Sequence, residues 1–546
     1  MYSTKSLIIG ASLGALMSLG TAPGAEAKQS QDDLSSKEMA RQIQALRDQV
    51  ESLQHRLDTQ AAAQEQTKAA ADGAAAQAAA AKAQATEIPA QVEAQVRTAV
   101  DAAKPKTDKI YYNGVTVTLG GFLAAESVYR SRSEQADIGS SFGAIPFNNS
   151  ALGQTSELRF TARQSRFSAL AEGDVNPDTH LAFYSEVDFL GAAQTANSNE
   201  SNSFTPRIRT MYGTVDWNNL GLHFLAGQSW SLITLNSKGI APRTEIPPPA
   251  IDAQYVPGFT WTRQPQIRLT KDFNKQVWAA VSLENPQTTF YTGANALPAT
   301  VHLNYNAPAG SLFNSANTMS LNRLPDVVAK IAVDPSFAHR TAHLEAYGLY
   351  RSFYERLNYS NQSASGAGFG AGLIVPLIPK ILDFQVSGLA GKGIGRYGSG
   401  QLADVTFDPA GNIRPISEIE AMAGLTLHPT PKLDIYLFAG EEKDSAQSYD
   451  LTTGTGAVVG YGYGNPLYSN SGCVSETATG GCAGNTRLIQ QGTAGFWYRP
   501  YAGSFGRIQW GLQYSHTERK AFAGAGGIAP VANDNMVFGS FRYYPY

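Results

Sequence analysis

Residues 115–130 read VTVTLGGFLAAESVYR, and apolar and polar side chains alternate along them. One face carries the apolar side chains Val115, Val117, Leu119, Leu123 and Tyr129. The other face carries the polar side chains Thr116, Thr118, Glu126 and Arg130. Residues 183–189, FYSEVDF, alternate in the same way. A period of two residues predicts half-buried β-strands, and this texture begins near residue 110.

Breaks in the alternation divide the chain into strands. Short breaks rich in turn-forming residues occur at 172–178, 218–221, 272–275, 334–337, 376–380, 429–432 and 500–506. Longer polar or Gly- and Pro-rich stretches lie at about 131–156, 191–206, 234–260, 285–325, 356–366, 391–416, 443–489 and 517–534. Short and long connections alternate strictly, and together they predict about sixteen antiparallel strands.

The composition of the outward face distinguishes a membrane barrel from a soluble β-sandwich. A sandwich needs polar outer faces, whereas the outward residues here are Leu, Val, Phe, Trp and Ala. Closure into a cylinder leaves no unpaired edge, and outer-membrane barrels alternate long external loops with tight periplasmic turns. The predicted fold is an all-β transmembrane barrel over residues 110–546, with both of its ends facing the periplasm.

The first 27 residues have the pattern of a secretory signal peptide. Lys5 supplies a positive start, 7–19 an apolar core, and 25–27 an AEA cleavage site. After that point no run of 18 apolar residues occurs, which argues against a helical membrane protein. The formal net charge is −3 without a basic stripe, so no nucleic-acid partner is expected.

The segment between the signal and the barrel has helical patterning. In residues 28–60, apolar side chains recur at alternating steps of four and three, at Met39, Ile43, Leu46, Val50, Leu53 and Leu57. This seam predicts an α-helical coiled-coil extension that associates two or three chains in the periplasm. Residues 61–109 are alanine-rich and predict either a second helix or a flexible linker.

Three arginines, Arg159, Arg163 and Arg166, lie within ELRFTARQSRFS at residues 157–168. The apolar residues are even-numbered up to 162 and odd-numbered from 167, so the phase of the strand slips by one. A β-bulge at 163–165 would return both halves to lipid and direct all three arginines inward. Because an arginine facing lipid near the midplane costs about 2 to 4 kcal/mol, we expect these cations to line a lumen.

Other candidate pore-lining residues lie on later strands: Glu186, Asp188, Arg207, Arg209, Gln264 and Arg268. The two acids are expected to oppose the arginine cluster across the pore and create a transverse field. Alternatively, arginines and acids neutralise each other and only hold the wall together. The loop around 234–260, which contains three consecutive prolines at 247–249, either folds inward to narrow the channel or lies on the surface.

The sequence contains no motif for catalysis, a metal or a cofactor. Cys473 and Cys482 are expected to form a disulfide in a short loop, because the periplasm is oxidising. His339 and His343 are weak evidence for a metal site without a third ligand nearby. We therefore expect no enzyme, no bound metal and no cofactor.

Several motifs resemble the DcaP-like porins of Gram-negative outer membranes. They are LRFTARQSRFS, YSEVDF, PRIRTMYGTV, LAGQSWS, RQPQIRLT and PDVVAKIAVDP, and they are densest at 157–335. The resemblance implies a homotrimer of sixteen-stranded barrels with a periplasmic coiled coil. It also implies passage of small anions, dicarboxylates in particular, through a constriction that matches Arg159, Arg163 and Arg166. The alanine-rich segment, the cysteine loop and the Pro-Tyr ending depart from the pattern.

The sequence thus predicts an outer-membrane diffusion channel, surrounded by lipid and lipopolysaccharide, that prefers small organic anions. Two alternatives remain open at this point. The barrel could be the anchor of a structural or adhesive protein, or it could export a cell product.

Overall fold

The computed structural model describes residues 73–74 and 109–546, except for 192–203, 292, 294–295, 300, 302, 305, 308–318 and 338–339. The chain separates into one unit of Met1–Lys106 and another of Thr107–Tyr546. The signal peptide, the coiled-coil seam and nearly all of the alanine-rich segment lie outside the described residues. No helix among the described residues is long and apolar enough to cross a bilayer.

Sixteen strands form the wall of a barrel in the second unit. They are β1 (Val115–Arg130), β2 (Glu157–Thr161 and Arg166–Asn176), β3 (Thr179–Asp188), β4 (Arg207–Trp217), β5 (Leu222–Trp230), β6 (Arg263–Phe273), β7 (Val277–Glu284), β8 (Asp326–Val333), β9 (His343–Leu357), β10 (Ser360–Ile378), β11 (Leu382–Lys392), β12 (Ser417–Thr430), β13 (Leu433–Asp444), β14 (Thr486–Gly503), β15 (Gly506–Ala521) and β16 (Val531–Tyr544).

Each strand pairs in an antiparallel sense with the strands before and after it in the chain. The cylinder closes between β1 and β16, where Leu123 pairs with Tyr543 and Arg130 with Met536. Large apolar side chains stay exposed on the outer face, for example Phe541 at 47 %. This apolar exterior and the absence of a free edge in the wall are what a lipid bilayer requires. The prediction of about sixteen antiparallel strands is confirmed.

Short strands, hairpins and 3₁₀ turns lie in the connections between the wall strands. Lys109–Tyr112 pairs with the start of β1, and Leu303–Asn304 with the end of β9. Four small hairpins join Asn306–Ala307 to Met319–Ser320, Ser336–Phe337 to Arg340–Thr341, Val405–Phe407 to Ile413–Pro415, and Gln447–Thr452 to Val458–Tyr463. Single turns of 3₁₀ helix occur at Phe142–Ala144, Ala151–Gly153, Gly395–Tyr397, Ser471–Cys473 and Ala525–Gly527.

The phase slip of β2 is a break in the strand at residues 162–165. The hydroxyl of Ser165 accepts a hydrogen bond from the N–H of Ala124 at 2.9 Å, which replaces a ladder bond at the break. Phe160 before it and Phe167 after it are both exposed, at 74 % and 44 %. Both halves of the strand therefore present apolar side chains outward, as the sequence predicts.

Two of the predicted loops are wrong. Residues 356–366 are mostly strand, because Asn358 and Tyr359 form a two-residue turn in which both have positive φ, 42° and 69°. Residues 517–534 are also mostly strand, and their connection runs only from 522 to 530. One connection is longer than predicted, namely the connection after β8, for which the sequence predicts only residues 334–337. The remaining connections follow the predicted alternation of long and short.

The connection of residues 231–262, here named the inward loop, folds into the barrel. Near its start, the N–H of Leu232 donates to Glu284 on β7 at 2.8 Å. Near its end, the N–H of Gly258 donates to Glu442 on β13, also at 2.8 Å. These acceptors are six strands apart, so the loop crosses the interior and is fastened to the wall on both sides.

Candidate functional site

A cluster of charged side chains occupies the inner wall where β2, β3 and β4 meet. The strand register sets Asp188 directly beside Arg166 on one side and Arg207 on the other. Arg207 donates two hydrogen bonds to Asp188, at 3.0 and 2.8 Å. Arg209 bonds Asp188 at 3.0 Å and also contacts Glu186, while Arg166 lies 4.0 Å from Glu186. Three arginines therefore share two carboxylates.

This arrangement corrects the predicted transverse field, because Glu186 and Asp188 lie on the same wall as the arginines. Antiparallel neighbours place inward side chains of adjacent strands about 5 Å apart, which is ion-pair distance and not the width of a pore. Here the alternative interpretation holds, since these acids neutralise neighbouring arginines. Asp188 is fully buried, so its pairing with Arg209 stabilises the wall at this position.

Arg159 and Arg163 lie apart from the cluster. Arg159 is half exposed, and its nearest acid is Glu157 at 3.7 Å. The guanidinium of Arg163 is hydrogen-bonded to the loops at the end of the wall. It donates to Asp137 at 2.9 Å and to the carbonyl oxygens of Phe189 and Gly191 at 3.0 and 2.7 Å. Of the three arginines in residues 157–168, only Arg166 joins the charged cluster.

Arg207 of this cluster and two further arginines converge on a cavity of about 540 Å³ at the end of the barrel that carries the long loops. Arg207 and Arg263 begin β4 and β6, and Arg396 comes from the connection between β11 and β12. The guanidinium of Arg263 lies between the rings of Trp230 and Trp261, 5.1 Å from each centroid. Its Nε and Nη1 atoms are buried and have no hydrogen-bond partner among the described residues.

Arg396 links the cavity to the adjoining wall. It donates to Gln264 at 2.8 Å and lies 3.5 Å from Asp326. Gln264 in turn donates to Glu284 at 2.5 Å. Farther along β6, Arg268 donates to Gln266 and to the carbonyl of Trp230, at 2.9 and 2.6 Å. Gln264 and Arg268 thus lie on the inner face, where they position neighbouring groups.

The inward loop places a phenol against this positive region. Burial alone raises the pKa of the Tyr255 hydroxyl, but the charges of Arg209, Arg263 and Arg166 outweigh burial and lower that pKa below its ordinary value. Tyr255 also packs edge-on against Trp261, with ring centroids 5.3 Å apart. The positive potential therefore extends from the wall to the loop that crosses the interior.

The opposite side of the barrel carries a cluster of carboxyl groups. Glu418 and Glu420 begin β12, and they pair in register with Asp444 and Glu442 of β13. All four are buried. Strand β12 lies eight positions from β4, which is half of a sixteen-stranded cylinder, and both strands begin after long loops. Because buried carboxyl groups packed side by side do not all ionise, this cluster is not a full negative counterpart of Arg207 and Arg209.

Only weak sequence signals point to these additional residues. Arg263 has the outward parity of its strand, opposite to that of Arg268, and only the aromatic pair around it brings its charge to the cavity. Arg396 lies in a loop, where periodicity carries no information. Glu418 and Glu420 do follow the inward parity of an alternating strand, so parity could have identified them.

The loop between β13 and β14 contains a disulfide. Cys473 and Cys482 are bonded, with their Cα atoms 4.9 Å apart. Among the described residues, no group of three or more His, Cys, Asp or Glu side chains is arranged to hold a metal ion.

Comparisons with known proteins support the fold. No protein-family model and no curated protein matches the sequence. The solved outer membrane channel DcaP of Acinetobacter baumannii is similar to this chain with a TM-score of 0.55 and 19 % identity, over 79 % of this chain and 99 % of that one.

Two further structures match with lower scores. The anion-selective porin from Comamonas acidovorans has a TM-score of 0.43 and 11 % identity, over 79 % of this chain and 99 % of its own. Salmonella typhi OmpF, in complex with daunomycin, has a TM-score of 0.43 and 8 % identity, over 80 % and 99 %. The resemblance to DcaP-like porins seen in the sequence is confirmed at the level of the fold: the chain forms a sixteen-stranded antiparallel β-barrel similar to that of the DcaP channel.

Proposed function

We propose that the protein is an outer-membrane diffusion channel that prefers small organic anions, dicarboxylates among them. The observation that carries this proposal is the convergence of Arg207, Arg263 and Arg396 on one cavity at the long-loop mouth. Arginine stays charged at every relevant pH and binds a carboxylate through two parallel hydrogen bonds. The selecting residues in this account are these three, in place of Arg159 and Arg163.

The surroundings of the Arg263 guanidinium support its role in attracting an anion. Two indole rings hold its guanidinium in place, and two of its nitrogen atoms lack a protein acceptor among the described residues. Since these two nitrogens bond no acceptor of the described residues, the charge of Arg263 stays available to attract an anion into the cavity that it lines. Arg207, by contrast, is already bound to Asp188, so it contributes mainly to the electrostatic field in the cavity.

The arginines on one half of the wall support a steering mechanism. Arg207 and Arg209 lie half a barrel away from the buried carboxyl cluster of Glu418 and Glu420, and the inward loop runs between the two sides. The positive potential on the arginine side orients a polar solute with its anionic end toward that side. Selection then rests on electrostatic attraction at a narrow passage, without a tight binding pocket.

Uptake by proteoliposomes tests this proposal. Swelling rates are compared for three solutes of similar size: a dicarboxylate, a neutral polyol and a diamine. We expect the dicarboxylate to enter fastest and the diamine slowest. Equal rates would remove the anion preference, and no swelling with any solute would favour the anchor function over the channel.

We further propose that the channel is a homotrimer. The heptad seam at residues 39–57 provides a means of association. Native mass spectrometry in detergent is expected to give three copies of the chain. Removal of residues 28–60 from the mature protein should weaken the assembly, whereas a monomeric full-length protein would contradict the proposal.

A further inference from the structure

Four histidines at the short-turn end of the barrel are each held between two carboxylates. The described residues include five histidines, and only His516, at the other end, lies outside this pattern. The four are His180 and His223 near the starts of β3 and β5, His343 at the start of β9, and His428 near the end of β12. A repeated arrangement at one end of the barrel calls for a common explanation.

The distances around the two histidines differ. His223 Nδ1 lies 2.7 Å from Asp216, and its Nε2 lies 3.0 Å from Asp272. An ionised carboxylate only accepts hydrogen bonds, so both ring nitrogens of His223 must donate, and this geometry fits the charged imidazolium. His180 Nδ1 lies 2.7 Å from Asp174, and its Nε2 lies 3.8 Å from Glu172, an ion-pair distance without a hydrogen bond.

The other two histidines have a structural role. His343 bridges Asp334 at 2.7 Å and Glu345 at 3.0 Å, and all three side chains are buried. His428 bridges Asp434 and Asp383 at 2.6 and 3.3 Å. Neither of these histidines lines the cavity described next, so they provide an internal comparison.

His180 and His223 line a cavity of about 230 Å³ at the short-turn end. Four of its lining side chains can carry a positive charge: His180, His223, Arg243 and Arg268. Asp216 is the lining carboxylate, and its oxygen is already bonded to His223. The two imidazoles thus supply half of the cationic groups that line this cavity.

Each element that packs around this cavity presents only a few charged groups. Strand β2 presents Glu172 and Asp174, and β4 presents Asp216. Strand β6 presents Asp272 and Arg268, while its Lys271 bonds the carbonyl of Leu220. The inward loop contributes Arg243 and Glu245, and burial raises the pKa of Glu245. Strand β7 presents the neutral Trp278, whose ring lies 5.9 Å from that of His223.

We propose that His180 and His223 determine the charge, and hence the anion preference, of the periplasmic mouth. This inference rests on the proposed anion channel. While both imidazoles are charged, they and the two arginines balance the four carboxylates around the cavity, and an anion can leave or enter. When they lose their protons, the carboxylates that flank them are no longer neutralised, and the local field turns against anions.

Reversal potentials in planar bilayers with a salt gradient test this proposal. The pH of one chamber at a time is raised from about 5 to about 10 across the range in which a histidine can lose its proton. We expect the ratio of anion to cation permeability to fall about twofold or more when the periplasmic chamber is made alkaline. Raising the pH of the opposite chamber alone should have less effect.

Variants separate the two histidines from other groups. The double variant His180→Gln and His223→Gln should show the lower ratio at every pH, and His223→Arg should keep more of its anion preference in alkali. His516→Gln is the matched control, because His516 bonds the neutral Asn535. This variant should behave like wild type. Heat-modified mobility in gels checks that each barrel is folded.

Two results would overturn the proposal. One is a wild-type ratio that does not change with pH, and the other is a double variant that still titrates like wild type. A channel with no anion preference at any pH would instead refute the proposed function itself, so the two failures are distinguishable.

Discussion

Arg207 and Asp188 form a two-point ion pair on adjacent strands, with donor–acceptor distances of 3.0 and 2.8 Å, and Asp188 is fully buried. Arg209 shares the same carboxylate. The pair therefore holds β3 and β4 in register and sets how much of the arginine charge is left to attract a solute.

Asp188→Asn tests this division of charge. The variant leaves two arginines with one fewer counter-charge, so we expect a higher ratio of anion to cation permeability. The folded barrel should lose about 3 to 5 kcal/mol, because a buried charge loses its partner. Bilayer reversal potentials and urea unfolding in detergent measure the two effects. Asp178→Asn, at an exposed turn, is the control, and an unchanged permeability ratio in Asp188→Asn would contradict the account.

Gly258 tests whether the inward loop narrows the passage. Its φ is +83°, and a Cβ atom added there would lie 2.0 Å from the carbonyl oxygen of Ala421. Gly258→Ala should therefore prevent this part of the loop from docking, which we expect to raise single-channel conductance and weaken anion preference. Gly454→Ala is the matched control, because an added Cβ at that position meets nothing within 4 Å. Wild-type conductance in Gly258→Ala would show that the loop does not limit flow.

Glu134 gives a pH dependence outside the wall, in the loop of residues 131–156. Burial raises the pKa of Glu134 to about 8, although the charge of Arg130 acts in the opposite sense. Because the folded state holds this proton more tightly than the unfolded state, the stability it contributes is present at low pH and is lost as the pH rises toward about 8.

Hydrogen exchange of this loop, corrected for the intrinsic effect of pH, measures that dependence. Wild-type protection is expected to fall as the pH is raised from about 6 to about 9. Glu134→Gln keeps a neutral side chain at every pH, so its protection should change little over the same range. Identical pH profiles for the two proteins would assign the change to another group.

The alternation of side chains was enough to predict the barrel, because a bilayer imposes a regular outward apolar face. Turns such as 218–221 carry Asn and Gly and were recognisable. The tip at Asn358 and Tyr359 was not, since the strand that follows it is rich in Ser, Gly and Ala and has the composition of a loop. Small side chains give no period in hydrophobicity, so strand and loop cannot be distinguished there.

The candidate site was predictable only where it lies on strands. Parity identified Arg207, Arg209, Glu186 and Asp188 as inward, but it gives no distances, and the acids proved to be neighbours of the arginines. Arg396 depends on how a long connection folds, and Arg263 on its contacts with two tryptophans. Both are consequences of tertiary packing that no local pattern encodes.

The central claim is that Arg207, Arg263 and Arg396 confer anion preference at the long-loop mouth. Its most direct test is the reversal potential of single channels in a salt gradient, measured for wild type and for the triple variant Arg207→Gln, Arg263→Gln and Arg396→Gln. Arg356→Gln, at an exposed position near a hairpin tip, is the control. The account predicts an anion-selective wild type and control, and a triple variant that has lost this selectivity or has become cation-selective. A triple variant as anion-selective as the wild type would contradict it.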